Sequence, residues 1–378
     1  MRFVNLNNAT SLSADACNLA ATLGIAAFAA WLAREIHLPA PYLMGSLLGV
    51  WLSGGLIAPL RPRLSVPKWV FFPLILGLGV FFGSNFSADM FSQLSRWSVT
   101  IALMILITIF SGCIGFFFLY TVRGYDKITA LLSALPGGQV EAMTLAREFT
   151  PKAYVVALFH LIRNSAIFIS TPLLLVALSG PETLNQADAS LARLPSIADM
   201  SLTQLTAFVA VAGIGYIIAR RIHIPMPHLF GPLILSTTLH FAGWIDIPRA
   251  HEFVIFAQLA IGAYVGSNLA QVQISELKGY VVDALTVSIL FPILIYSILT
   301  AALAHVTGLD MLTLWLAFIP GGIYEVTLLG LIFGYDIAFI TAHHIVRLLF
   351  IFSVIPAIAA RFRVGEKHSP DPPNSDSN

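Results

Sequence analysis

Four short motifs occur twice in this chain, in the same order and 183 to 186 residues apart, and no other feature constrains the fold as strongly. The stretch AREIHLPAP from Ala33 to Pro41 returns as ARRIHIPMP from Ala219 to Pro227. Gly83-Ser84-Asn85 returns as Gly266-Ser267-Asn268. LPGGQVE from Leu135 to Glu141 returns as IPGGIYE from Ile319 to Glu325, and HLIR from His160 to Arg163 as HIVR from His344 to Arg347. One unit is therefore written twice, over roughly 17–178 and 204–360. A polar segment, 1–16, precedes the first repeat, and a polar linker, 179–203, joins the two. The tail 361–378 reads as disordered by composition.

The medium follows from the charges. Of 378 residues 57% are hydrophobic and 10% charged, against about 25% charged in a soluble domain. Such a chain cannot cover a water-facing surface, so soluble, fibrous and disordered classes are excluded and the apolar runs face lipid. The net charge of +1 and the lack of a basic arm argue against nucleic acid as a partner. Cys17 and Cys113 stand alone in apolar stretches and are expected to be buried, inert thiols. The first sixteen residues lack the apolar core of a signal peptide, so the mature chain is expected to start here.

Each half holds five apolar stretches of about the twenty residues that a span requires: 17–33, 40–60, 68–86, 97–121 and 153–178, then 204–219, 226–245, 252–270, 280–305 and 337–360. A sixth stretch in each, 127–147 and 312–334, is interrupted by Pro136-Gly137-Gly138 and Pro320-Gly321-Gly322. Such an interruption frees backbone groups that lipid cannot satisfy, so it must lie inside protein or line a wet cavity. If the sixth stretch is re-entrant, the halves are inverted. Fourteen of the twenty basic residues then fall on the cytoplasmic side with both termini, four outside, and Arg163 and Arg347 within the bilayer. If it crosses, giving twelve spans, the best split is 11 against 7. The fold expected is an all-α polytopic membrane protein of two inverted repeats of five transmembrane helices, each with a Pro-Gly-Gly re-entrant segment.

Ionisable residues inside a bilayer mark a pathway or a partner, and here they form a matched set. Glu141 and Glu325 follow the two breaks, while His160 with Arg163 and His344 with Arg347 share one face of the fifth spans at i, i+3. Two readings stand. In one, the two broken segments meet near the midplane with glutamates, arginines and histidines converging on the freed backbone groups, where a half-helix N-terminus after Gly138 or Gly322 offers amides to an anion and unwound carbonyls hold a cation or hydronium. Alternatively, Glu-Arg pairs fasten the broken segments to the fifth spans and touch no ligand. Asn85 and Asn268 are polar ligands or helix C-caps, capping being favoured. His343 has no counterpart, since Phe159 stands in its place, and is assigned no role. The His37 and His223 loops read as stiff turns. No catalytic constellation, metal-ligand cluster or cofactor motif is found, so the chain is not expected to be an enzyme.

LPGGQVEAM at 135–143, IPGGIYEVT at 319–327, the HLIR and HIVR quartets and the duplicated Ile-His-aliphatic-Pro-x-Pro turn resemble the membrane-bound AbrB-like family of Gram-negative bacteria, built from two AbrB duplication domains. The resemblance covers nearly the whole chain and implies a protein of the bacterial inner membrane. Members of that family are labelled regulators of gene expression, and some ammonia monooxygenases. Nothing here matches the small soluble DNA-binding AbrB regulators. An oxidase would need copper or iron ligands, which two histidine-arginine pairs do not supply. The plan also resembles, in pattern alone, cation/proton antiporters, bile-acid symporters and 2-hydroxycarboxylate transporters. The function expected is a proton- or cation-coupled secondary transporter of a small, anionic solute, its rival a membrane-embedded regulator or sensor. The expected partners are the lipid bilayer and the solute or ion, with a homodimer left open.

Overall fold

The computed structural model describes residues 9–86, 91–136, 146–272 and 279–367. All ten apolar stretches are helices. In the first half these are α1 (Ala9–Glu35), α2 (Pro41–Leu56), α3 (Lys68–Gly83), α4 (Phe91–Phe117, continued by a π turn at Phe118–Val122) and α6 (Ala153–Ser179), with the short α5 (Lys127–Ala134) before α6. The linker carries α7 (Glu182–Ala192). The second half has α8 (Leu202–Arg221), α9 (Pro227–Phe241), α10 (His251–Gln271), α11 (Val281–Thr307, with a π turn at Thr286–Leu290) and α14 (Ile337–Lys367). The short α12 (Met311–Phe318) and α13 (Ile323–Phe333) precede α14. No strand occurs among the described residues.

Among the described residues seven helices are long and apolar enough to cross a membrane. Leu56, Val306 and Leu202 are 81%, 82% and 77% exposed, which suits a surface solvated by lipid, where helices satisfy their own backbone. The chain is an all-helical polytopic membrane protein. Three details differ from the sequence reading. Cys17 and Cys113 are exposed, because both sit on outward faces of their helices. α1 begins at Ala9, inside the polar 1–16 segment, and α14 runs on to Lys367, into the tail read as disordered. Side-chain polarity ends a hydropathy run before it ends a helix.

The helices associate as two groups that exchange partners between the halves. In one, α2 lies along α10 and α3 along α9, with α1 and α8 outside them. By the spacing of the repeated motifs α2 corresponds to α9 and α3 to α10, so the two pairs match. Both contacts depend on glycines four apart, the spacing that lets membrane helices approach closely. A Cβ on Gly79 would come within 2.7 Å of the Leu229 carbonyl oxygen, and one on Gly83 within 2.5 Å of that of Leu233. On α10 the corresponding positions, Gly262 and Gly266, would each meet α2 carbonyls, of Leu43 and Leu47, at 2.5 Å. Because backbone blocks the space, Gly266→Leu is expected to destabilise the chain by about 3 kcal/mol or more. Gly213→Leu, with open space around it, should leave the aggregation temperature in detergent unchanged. Equal temperatures for both variants would show that the α2 to α10 contact does not hold the halves together.

The second group is α4, α5, α6 and α11 to α14. Within it α12 and α13 form a hairpin about the Pro320-Gly321-Gly322 break. Asp310 caps α12 by accepting from the Thr313 amide at 2.7 Å. Tyr335, just past α13, lies in the field of Asp310 and beside Ser179 at the end of α6. The ends of the hairpin thus share one level, while its tip reaches Ile167 near the middle of α6. The ends of the corresponding first-half segment also meet, through the Asp126 to Lys152 ion pair of 3.2 Å, but at the start of α6. The two bases therefore lie at opposite ends of one helix.

Candidate functional site

The break leaves carbonyls at the end of α12 without intrahelical partners. α14 supplies them. Arg347, ten residues or about 15 Å along that helix, donates through Nη1 to the Phe318 and Ile319 carbonyls, both at 2.9 Å, and through Nη2 to Gly321 at 3.2 Å. Its Nη2 also donates to His344 Nδ1 at 2.8 Å, and His344 Nε2 reaches the Leu316 carbonyl at 3.0 Å. A nitrogen that accepts from a guanidinium carries no proton, so His344 is the neutral Nε2–H tautomer and donates to that carbonyl. A cation and a donor thus cap the negative end of α12.

The first half repeats the arrangement 184 residues earlier. His160 Nε2 bonds the Leu132 carbonyl at 2.9 Å, Arg163 Nη1 donates to Leu135 at 2.5 Å, and Arg163 Nη2 meets His160 Nδ1 at 2.5 Å. All four side chains are at most 2% exposed. Pro136 is buried; Gly137, Gly138 and Glu141 lie outside the described residues. The arginines and histidines therefore hold broken-helix carbonyls.

Glu325 stands in the first turn of α13, whose N-cap is Gly322. Its carboxylate folds back over Gly322 so closely that a Cβ there would collide with Oε2. The positive end of this half-helix thus already faces a carboxylate of its own chain, where the sequence reading placed a bound anion. Pro320, Gly321 and Gly322 are all buried. One residue along, Tyr324 Oη lies 3.4 Å from His228 Nε2 of α9, so the tip sits at the seam between the two helix groups.

Asn85 acts as a cap. Its Nδ2 donates to the Phe81 carbonyl at 2.7 Å, and its Oδ1 accepts from Arg249 at 2.7 Å. Asn268 does not, because α10 continues to Gln271 and leaves it inside the helix. His343 is buried, bonding the Phe339 carbonyl and Thr100 at 2.8 and 2.9 Å. The turns at His37 and His223 share a left-handed backbone, with φ of 56° and 57°.

Two features escaped the sequence reading. Tyr296 of α11 is fully buried beside Thr108 and Ser111 of α4, in the field of both Arg163 and Arg347. An intramembrane tyrosine opposite hydroxyl residues would have been the only signal. Asp283, buried at the start of α11, pairs with Arg123 at 2.5 Å and accepts from Tyr125 at 2.9 Å, locking the halves together. Neither residue has a counterpart in the other half, so the duplication could not point to them.

A family model described as "Transition state regulatory protein AbrB" matches residues 47–363. The "Uncharacterized protein YhjN" of Bacillus subtilis (strain 168) is 21% identical over 339 residues, covering 82% of this chain and 87% of that protein. The "Putative regulator AbrB" of Escherichia coli (strain K12) is 24% identical over 332 residues, covering 86% of this chain and 90% of the relative.

Proposed function

Since the chain belongs to the AbrB family, matched from residue 47 to 363, we propose that it is a family member working as a proton-coupled secondary transporter of a small anion. The observation that carries this reading is Arg347. It is 1% exposed, and no acidic side chain pairs with it among the described residues. A buried cation without a counter-charge is expensive even when carbonyls surround it, and an anion entering beside it lowers that expense. Tyr296 offers a hydroxyl in the field of both arginines. Glu325 at the tip supplies the proton site: an anion nearby disfavours a second negative charge, so solute and proton enter together.

The fold we infer is two inverted repeats of five crossings, each with a re-entrant hairpin, in the bacterial inner membrane. The hairpin bases at opposite ends of α6 support it, as does the basic end formed by Arg61, Arg63, Arg123 and Lys152, which we assign to the cytoplasm with both termini. Substrate sites of such proteins sit at broken helices near the midplane, between bodies that move relative to one another. The seam at the hairpin tip fits that plan.

Liposomes carrying a pH-sensitive dye and offered small carboxylates, phosphate and sulfate test the reading. Glu141→Gln and Glu325→Gln are each expected to lower proton-coupled flux by about tenfold or more. Unchanged flux in both variants would exclude these carboxylates as carriers. No flux with any solute, together with stoichiometric co-purification of a partner protein, would favour a membrane-embedded regulator.

A further inference from the structure

A cleft of about 500 Å³ opens where the two helix groups part, at the end of the molecule that carries Arg61. We propose that it is a phospholipid site, with one acyl chain lying along α6 and the phosphate on the Arg61 guanidinium.

The walls decide the occupant. α2 contributes Trp51 and Leu56, α6 contributes Leu158, Ile162 and Ile169, and α11 contributes Leu285. Among the described residues of the lining, Arg61, Ser165 and the Trp51 indole N–H carry the polar groups, and the Ser165 hydroxyl is taken by the Leu161 carbonyl at 2.7 Å. The interior is mostly aliphatic and therefore rewards a hydrocarbon over a polar solute. Leu52 and Leu56 at the mouth are 51% and 81% exposed, so the cleft communicates with the bilayer. From Leu158 to Ile169 the α6 wall rises eleven residues, about 16 Å, close to half of a hydrocarbon core of about 30 Å. That is the depth of one leaflet.

Charge is found at the headgroup end. Arg61 Nε donates to the Gly54 carbonyl at 3.2 Å, which fixes the guanidinium plane, and the Arg61 carbonyl accepts from Gln271 at 3.1 Å, which fixes the loop. The terminal nitrogens of Arg61 take no partner among the described residues, and no carboxylate pairs with it. A guanidinium held in place with its terminal donors open, above an apolar slot one leaflet deep, matches a glycerophospholipid phosphate and acyl chain. The assignment does not depend on transport.

Native mass spectrometry of the full chain after detergent washing, with phosphatidylglycerol added back, reads the occupancy. Wild type is expected to retain one phospholipid per chain. Ala166→Trp, which fills the cleft, should lower occupancy about tenfold, and Arg61→Gln about threefold to tenfold. Equal retention by wild type and Ala166→Trp would overturn the site, and equal retention by wild type and Arg61→Gln would overturn the phosphate contact. Should Ala166→Trp fail to fold, wild type with a phosphatidylglycerol bearing a photoreactive acyl chain decides the matter. Adducts are expected to concentrate on Leu158, Ile162 and Ile169, and labelling no denser there than on exposed Leu349 of α14 would refute the proposal.

Discussion

Arg347→Met is expected to destabilise the folded chain by roughly 3–5 kcal/mol, the usual penalty for removing one member of a buried charged network. Methionine fills similar volume but donates nothing, so the Phe318, Ile319 and Gly321 carbonyls lose their donor inside the packed bundle. His344 also loses the guanidinium that fixes its tautomer. Arg347→Lys should recover only part of the loss, because one ammonium cannot span three carbonyls and an imidazole as a planar fork does. Arg163→Met should act in the same direction through the Leu135 carbonyl and His160. Thermal unfolding in detergent reads each effect. An unfolding temperature for Arg347→Met at or above that of wild type would mean that desolvating the cation outweighs its bonds, and the capping role would be abandoned.

This role explains both what the sequence made visible and what it concealed. Duplication, breaks and intramembrane charges were legible because each is a local deviation from an apolar background. The hairpin starts carried a signal that the motif reading did not use: Asp126 and Asp310 stand three residues before Thr129 and Thr313, and both accept those amides, at 2.8 and 2.7 Å. Formal charge, however, offered glutamate as an alternative partner of each arginine and could not say which carbonyls Arg347 bonds. Backbone acceptors have no letter in a sequence, so charge counting overlooks them. Helix ends were blurred for a related reason. Residues 57–60 and 242–245 are largely apolar but form turns, leaving α2 and α9 with 16 and 15 residues. Hydropathy reports what shuns water, not what coils. The pairing of α2 with α10 and α3 with α9 was concealed because it joins different halves, although Gly79, Gly83, Gly262 and Gly266 mark both surfaces.

Gly322→Ala isolates the remaining charge. At φ −69° and ψ 142° the backbone accepts any residue, so conformational strain contributes nothing there. The atoms nearest the new Cβ are those of the Glu325 carboxylate, which must leave the start of α13. The expected loss is about 2 kcal/mol of stability, from the helix-terminus interaction and the displaced, half-buried carboxylate. If Glu325 is the proton site, flux should fall about tenfold as well. In a Glu325→Ala background the obstacle is gone, so adding Gly322→Ala should cost less than about 0.5 kcal/mol, a coupling of about 1.5 kcal/mol across the pair. Additive effects in this cycle would place the carboxylate elsewhere in the functioning protein and remove the reason for a glycine at 322. A cycle that couples in stability but leaves flux untouched would keep Glu325 as the cap of α13 and deny it the proton.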